Sequence, residues 1–167
     1  VGAPLLILEG PHTASDLALA SKLNLWPVIH SDDQLDWCKT LGANLSQAWI
    51  KIDTGMHRLG FAAERYTDIR DTLLSYGIGE ITVMSHLASA EEPDHALTRA
   101  QIQSWEEAVR NGLDTTSLHN SAATQHALPA SGDWVRAGYA LYGGKIKGIP
   151  DPAPLRPAMR LSSSVIA

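Results

Sequence analysis

The chain of 167 residues has one cysteine, Cys38, so neither an intrachain disulfide nor a cysteine-rich zinc site can form, and a reducing compartment is favoured. It has no cluster of lysine and arginine and a formal charge of −5, which argues against nucleic acid or an anionic membrane as partner, because phosphate-backbone binding needs a basic patch. No apolar run approaches membrane-spanning length. The seven histidines show neither His-x-His nor His-Glu-x-x-His spacing, so no metal site is expected. A Gly-rich dinucleotide fingerprint is missing after the first strand-like run. So is a Gly-x-Ser-x-Gly elbow, which leaves a hydrolase built from Ser121, His86 and Asp53 as a weak rival reading. Small-molecule ligands remain. At 44% hydrophobic residues the chain is long enough for one sizeable core.

What is present is an alternation of strand-like and helix-like segments. Leu5-Leu6-Ile7-Leu8-Glu9-Gly10 is an apolar run closed by its glycine and followed by Thr13-Ala-Ser-Asp16, a capping-box start for the helix that carries Leu17, Leu19, Ala20 and Leu23. Trp26–His30 leads to Ser31 as N-cap and a helix over Asp32–Leu41. Ala48–Asp53 precedes a helix from about Ala63 to Ser75, and Glu80–His86 precedes a longer one from about Pro93 to Arg110. Ser117–Asn120 introduces a short helix over Ser121–Ala127, and Asp133–Arg136 introduces Ala137–Gly144. These six β-then-α units imply a parallel sheet with crossover helices. Polar groups on the inward faces of the third and fourth strands favour an α/β barrel over an open doubly wound sheet. A (β/α)8 TIM barrel needs eight units, so the barrel is incomplete. Beyond Gly148 a proline-rich stretch, Ile149–Pro154, is followed by a β-like tail, Met159–Ala167.

The segment Lys51–Phe61 places charge on what otherwise reads as a buried strand. Ile50 and Ile52 share one face, and Trp49, Lys51 and Asp53 share the other. Gly55 and Gly60 bracket Arg58 with positions free to take positive φ, as suits a tight loop aiming a guanidinium at an anionic ligand. Chemistry-bearing residues recur at the C-terminal ends of successive strands: Arg58, His86, Asn120 with Ser121, and Arg136. In a parallel barrel these positions converge on one mouth. Taken singly, His86 reads as a hydrogen-bonded structural histidine, Ser121 as a plain helix cap and Arg136 as a rim salt-bridge partner. Their recurrence points to a site. Ser121 and the turn at Gly138 bring a hydroxyl and backbone N–H groups into adjacent loops, the make-up of a phosphate site.

Four segments carry a family resemblance: Lys-Ile-Asp-Thr-Gly-Met-His-Arg-Leu-Gly-Phe at 51–61, Met-Ser-His-Leu-Ala at 84–88, His-Asn-Ser-Ala-Ala at 119–123 and Trp-Val-Arg-Ala-Gly-Tyr-Ala-Leu-Tyr-Gly at 134–143. Together they resemble the alanine racemases, pyridoxal-phosphate enzymes that interconvert L- and D-alanine for peptidoglycan synthesis. The resemblance implies that residues 1–148 are barrel strands three to eight of a cofactor-binding domain and that 149–167 are a linker and the truncated start of a C-terminal β domain. It implies that Arg136 lies against the cofactor's pyridine nitrogen with His86 hydrogen-bonded to it in support. Ser121, with Gly138 and Tyr139, would bind the phosphate, and Asn120 belongs to the same cofactor site. Arg58 would meet the phenolic oxygen and help place the substrate. Lys51 is similar to a lysine often carbamylated in the family; the alternative is an unmodified Lys51 paired with Asp53 or another carboxylate. Proline is usual in the family where Ala137 stands.

The resemblance further implies that the lysine binding the cofactor lies upstream of Val1 and the catalytic tyrosine beyond Ala167, so residues 1–167 alone are expected to give no turnover. A homodimer and a cytoplasmic location are implied for the longer protein. The other reading is a non-catalytic barrel that binds pyridoxal phosphate in cofactor homeostasis; such proteins end after the barrel.

Overall fold

The computed structural model describes residues 3–41, 44–130, 132–149 and 155–164. Strand and helix alternate as the sequence predicts except at an added short strand, β4, and between α5 and α6: β1 (Leu6–Ile7), α1 (Ala14–Lys22), β2 (Trp26–Ile29), α2 (Asp32–Leu41), β3 (Gln47–Asp53), β4 (Phe61–Ala62), α3 (Tyr66–Ser75), β5 (Glu80–Met84), α4 (Ala96–Val109), β6 (Thr115–Ser117), α5 (Ser121–Gln125) and α6 (Gly138–Leu141). The sheet runs β1-β2-β3-β5-β6 with β4 pairing to β3, and every pairing is parallel. The result is an open arc of a (β/α) barrel. In its centre β3 pairs Ile50 with Ile29 of β2 and with Val83 of β5.

Local signals explain the helix starts. The Thr13 hydroxyl accepts the Asp16 N–H at 3.2 Å while the Asp16 carboxylate accepts the Thr13 N–H at 2.9 Å, which completes the capping box of α1. The helix expected from Pro93 begins instead at Ala96, because His95 is the cap and its Nδ1 accepts the Leu97 N–H at 3.2 Å. Residues 63–65 form a short 3-10 turn before α3.

Period-two alternation along β3 divides the interior into two layers. Ile50 and Ile52 join Leu17, Ile29, Cys38, Leu73, Val83, Trp105 and Leu118 between sheet and helices. On the opposite face Val28, Trp49 and Met84 form a second cluster with Leu6 and Trp26. Trp134 reaches over this inner face, its ring 6.2 Å from Trp26 and 6.0 Å from Trp49. On the helical side, the Arg70 Nε–H donates to Asp114 at 2.6 Å and the Tyr66 hydroxyl donates to the same oxygen, which ties α3 to the approach to β6.

Two expected strands differ. Asp133–Arg136 forms no strand; residues 132–136 pair with the sheet side only in the isolated bridges Ser117↔Gly132 and Asn120↔Arg136 and are otherwise tied to β6 by single hydrogen bonds. The cause is Asp133, whose carboxylate accepts the Thr116 N–H at 2.7 Å and the Thr116 hydroxyl at 3.0 Å and so takes a place that a ladder hydrogen bond would fill. In the expected β-like tail, residues 159–164 have no strand pairing, while 165–167 and Pro150–Pro154 lie outside the described residues.

Candidate functional site

All the strands point the same way, so their C-terminal ends open on one side, and there lies a cleft of about 570 Å³. Lys51, Arg58, His86, Asn120, Ser121, Arg136, Gly138 and Tyr139, the residues that the family resemblance marked, line it, together with Glu9, Met84 and others, whereas Asp53 of the rival hydrolase set does not. Its size is that of a small-ligand pocket.

Arg58 is delivered by a loop that Asp53 organises. One carboxylate oxygen of Asp53 accepts three backbone N–H groups, from Gly55 and Met56 at 2.9 Å and from His57 at 3.1 Å. Its other oxygen lies 3.2 Å from His57 Nδ1. Burial raises the Asp53 pKa, but these N–H groups outweigh it and the carboxyl is held below its usual range. Gly55 and Gly60 take φ of 128° and 130°, and a methyl group at Gly60 would fall 2.8 Å from the Asp53 nitrogen. The turn is therefore closed to side chains where it crosses β3.

Because Asp53 is committed to this loop, it does not neutralise Lys51. Lys51 is only 7% exposed, faces the cleft from β3, and has no ion pair among the described residues. Burial, then Arg136, then Arg58 draw its pKa down to about 8, against a smaller opposing pull from Asp53. His86 is drawn down to about 4 by burial and by the same cations, Arg136, Lys51 and Arg58, so it is neutral at neutral pH.

Arg136 is held by carbonyls. Nη1 donates to the Ser117 carbonyl at 2.9 Å and to the Ser117 hydroxyl, and Nη2 donates to the Ser85 carbonyl and to the Leu118 carbonyl at 3.3 Å. The expected hydrogen bond to His86 does not form, since these backbone acceptors occupy both terminal nitrogens; His86 and Arg136 instead face the same space. Burial lowers the Arg136 pKa to about 10, still charged at neutral pH. Among the described residues nothing accepts its Nε–H, which leaves one donor for a ligand.

Asn120 caps α5 by accepting the Ala123 N–H at 3.0 Å and donates its amide to the Leu87 carbonyl at 3.1 Å, which fixes the start of the helix against the His86 loop. The Ser121 hydroxyl accepts the Ala140 N–H at 3.0 Å. With its oxygen used as acceptor, its proton is free to be donated outward. The Gly138 N–H is turned back onto the Arg136 carbonyl at 2.9 Å and so is engaged within its own turn, whereas the space beside its α-carbon is open. Ala137 makes this turn with φ −80° and ψ 49°, values that need no proline.

Sequence reasoning passed over Gln101. It is fully buried, and its amide bonds the His86 carbonyl at 3.0 Å and the Ala88 N–H at 2.9 Å. The available signal was a polar residue on the inward stripe of α4 between Thr98 and Trp105. Glu9, read only as the end of the first apolar run, is the carboxylate among the cleft-lining residues. Among the described residues no group of three or more histidines, cysteines or acids could hold a metal, and no helix is long and apolar enough to cross a membrane.

Fold and site together define a parallel α/β barrel-type domain with a cation-lined mouth that suits an anionic small molecule. The chain belongs to the alanine racemase N-terminal domain family, whose model matches residues 1–146. It is 40% identical over 172 aligned residues to the alanine racemase of Pseudomonas entomophila, covering all of this chain and 48% of that protein. It is similar to the biosynthetic alanine racemase of Pseudomonas aeruginosa, with a TM-score of 0.77 and 38% identity over 86% of this chain and 41% of that one. The alanine racemase of Bartonella henselae, solved with covalently bound pyridoxal phosphate, superposes with a TM-score of 0.78 and 26% identity, covering 94% of this chain and 46% of that one. The chain spans about half the length of the curated relatives it matches.

Proposed function

We propose that the protein carrying this chain is an alanine racemase that uses pyridoxal phosphate to interconvert L- and D-alanine, and that the chain supplies the cradle for the cofactor. The observation that carries this reading is a cleft in which Lys51, Arg58 and Arg136 face inward with one carboxylate, Glu9, among them, next to a Ser121 hydroxyl free to donate. Such a donor set fits a ligand with a dianionic phosphate at one end and a phenolate at the other. The names of the relatives and the pyridoxal phosphate in the Bartonella henselae enzyme point the same way.

In this reading Ser121 donates to the phosphate, with the Tyr139 N–H beside it and Asn120 fixing the turn. Arg136 directs its Nε–H to the pyridine nitrogen and, being a cation that keeps its proton at neutral pH, leaves that nitrogen unprotonated. When bound, pyridoxal phosphate supplies an electron sink that stabilises negative charge at the substrate α-carbon, and an unprotonated ring nitrogen makes it a weaker one, which favours return of a proton over competing carbanion chemistry. Arg58 donates to the phenolic oxygen and places the substrate carboxylate. His86, neutral, keeps a further positive charge away from Arg136. Lys51, with its pKa drawn down to about 8 and no carboxylate paired to it among the described residues, is suited to carbamylation by carbon dioxide; the carbamate would be the missing anion between Arg58 and Arg136.

The groups that remove and return the α-proton are assigned to segments outside these residues, so the chain alone should give no turnover. D-alanine for peptidoglycan as product, a homodimer and a cytoplasmic setting belong to the same proposal for the longer protein. The decisive experiment is D-alanine formation by that protein, with Arg136→Glu as the variant: activity and the visible absorbance of the cofactor both fall, and unchanged turnover would remove Arg136 from its role. Racemisation by residues 1–167 alone would overturn the division of labour.

A further inference from the structure

We infer that Gln101 is a positioning residue that couples the loop carrying Arg58 to the loop carrying His86, and so sets the spacing of two groups that face the ligand. The ligand itself rests on the functional reading above, whereas the coupling rests on geometry. Gln101 lies in the middle of α4, in the outer layer, with 0% exposure. Its side-chain amide serves loops outside its own helix. Nε2 donates to the His86 carbonyl at 3.0 Å, Oε1 accepts the Ala88 N–H at 2.9 Å, and Nε2 also lies 3.5 Å from the Thr54 hydroxyl. Thr54 in turn shares a 2.8 Å hydrogen bond with Ser85. The Gln101 stem closes against Gly55, where an added methyl group would sit 3.3 Å from its Cγ. Three residues beyond Gly55 the same loop presents Arg58.

Packing alone does not call for an amide here, since a methionine would fill similar volume without a polar group to desolvate. What methionine cannot do is satisfy the His86 carbonyl and the Ala88 N–H, two backbone groups that flank the loop end of β5. Nor can it reach Thr54. Asn120 continues the set by donating to the Leu87 carbonyl at 3.1 Å, so the ends of β3, β5 and β6 are bound into one assembly, with Gln101 joining the first two. Loss of the amide should let the Arg58 and His86 loops settle independently.

The test compares Gln101→Met and Gln101→Glu with Leu73→Ala, a core truncation on α3, in the longer protein that carries this chain. The readouts are the side-chain nitrogen resonances of Arg58 and His86 and the affinity for pyridoxal phosphate, both taken where thermal unfolding shows each variant folded. Gln101→Met should shift both sets of resonances and weaken pyridoxal phosphate roughly tenfold, the scale of one lost hydrogen bond. Gln101→Glu, which keeps the acceptor for Ala88, should recover part of that loss, and Leu73→Ala should lose thermal stability with resonances and affinity unmoved. Unmoved Arg58 and His86 resonances in folded Gln101→Met would overturn the inference, as would an equal loss of affinity in Leu73→Ala. If Gln101→Met does not fold, the Gln101→Glu resonances decide in the same way. A longer protein that fails to bind pyridoxal phosphate in unaltered form refutes the functional reading, and the resonances then decide the coupling alone.

Discussion

The Ser121 hydroxyl oxygen accepts the Ala140 N–H at 3.0 Å, so the first residue of α5 and the first turn of α6 are joined at the atom proposed to meet a phosphate. A threonine keeps this bond and an alanine does not. Ser121→Ala should therefore leave the Ala140 N–H without its partner and also remove a donor from the cleft. We expect a loss of about 1–3 kcal/mol in pyridoxal phosphate binding, the range for hydrogen bonds to charged groups, and recovery in Ser121→Thr. Absorbance titration with pyridoxal phosphate measures both; equal affinity in Ser121→Ala and the unaltered chain would remove Ser121 from the site.

Lys51 should cost stability where it serves binding. Its folded pKa, about 8, lies below the unfolded value near 10.5, so from pH 8 to 10.5 the unfolded state holds more protons and stability rises with pH. Below pH 8 the penalty for the buried charge is fully present. Lys51→Met should stabilise the chain at pH 7 by about 1–3 kcal/mol, abolish that rise and weaken pyridoxal phosphate binding. Denaturant unfolding at pH 7 and pH 10 measures the first two effects, and no gain at pH 7 would mean that Lys51 is not a buried, unpaired ammonium, as when its nitrogen is carbamylated.

His86 moves stability in a lower window. Its folded pKa of about 4 lies below the unfolded 6.5, so as pH falls from 6.5 to 4 the unfolded state takes up a proton that the folded state refuses, and stability falls. About 2 kcal/mol is expected across this window, discounted for the partial exposure of the ring. His86→Gln should flatten that part of the pH profile. An unchanged slope would assign the acid loss to other groups.

Asp53 tests how the Arg58 loop is built. Asp53→Asn retains an oxygen for the Gly55, Met56 and His57 N–H groups but loses the charge, whereas Asp53→Ala loses both. Destabilisation of about 1 kcal/mol for asparagine and about 2–3 kcal/mol for alanine follows from the value of hydrogen bonds to a charged acceptor. Hydrogen exchange at 55–57 should speed up in the same order, and equal exchange in all three proteins would contradict the loop's dependence on Asp53.

The Arg70–Asp114 pair is almost enclosed, with side-chain exposures of 18% and 7%. Arg70→Met leaves the Asp114 charge with the Tyr66 hydroxyl as its remaining side-chain partner among the described residues, and should destabilise by about 3 kcal/mol. Adding Asp114→Leu should restore much of the loss. A double variant no more stable than Arg70→Met would show that the pair does more than neutralise itself.

Much of this was legible because the chemistry coincides with strand periodicity. Alternation along β3 separated Ile50 and Ile52 from Trp49, Lys51 and Asp53, and the structure puts the two sets in different layers. Strand ends marked Arg58, His86, Asn120 and Arg136 as neighbours, and they line one cleft. Carboxylate choices were not legible. Asp53 lies on the same strand face as Lys51, yet one of its oxygens goes to three local N–H groups and the other to His57, a preference that spacing does not reveal. Asp133 likewise replaces a ladder contact with its side chain, which is why a segment with strand composition forms isolated bridges. Gln101 was hidden for another reason, since a glutamine in a helix reads as surface until tertiary contacts bury it.

Trp134 stands two residues before Arg136 and rests edge-on against Trp26, 6.2 Å away, with Trp49 at 6.0 Å. The protein thus carries a built-in optical gauge. Energy passes readily among indoles this close, so emission from the cluster will report any displacement of the segment that aims Arg136, and ligand capture can be followed without a label.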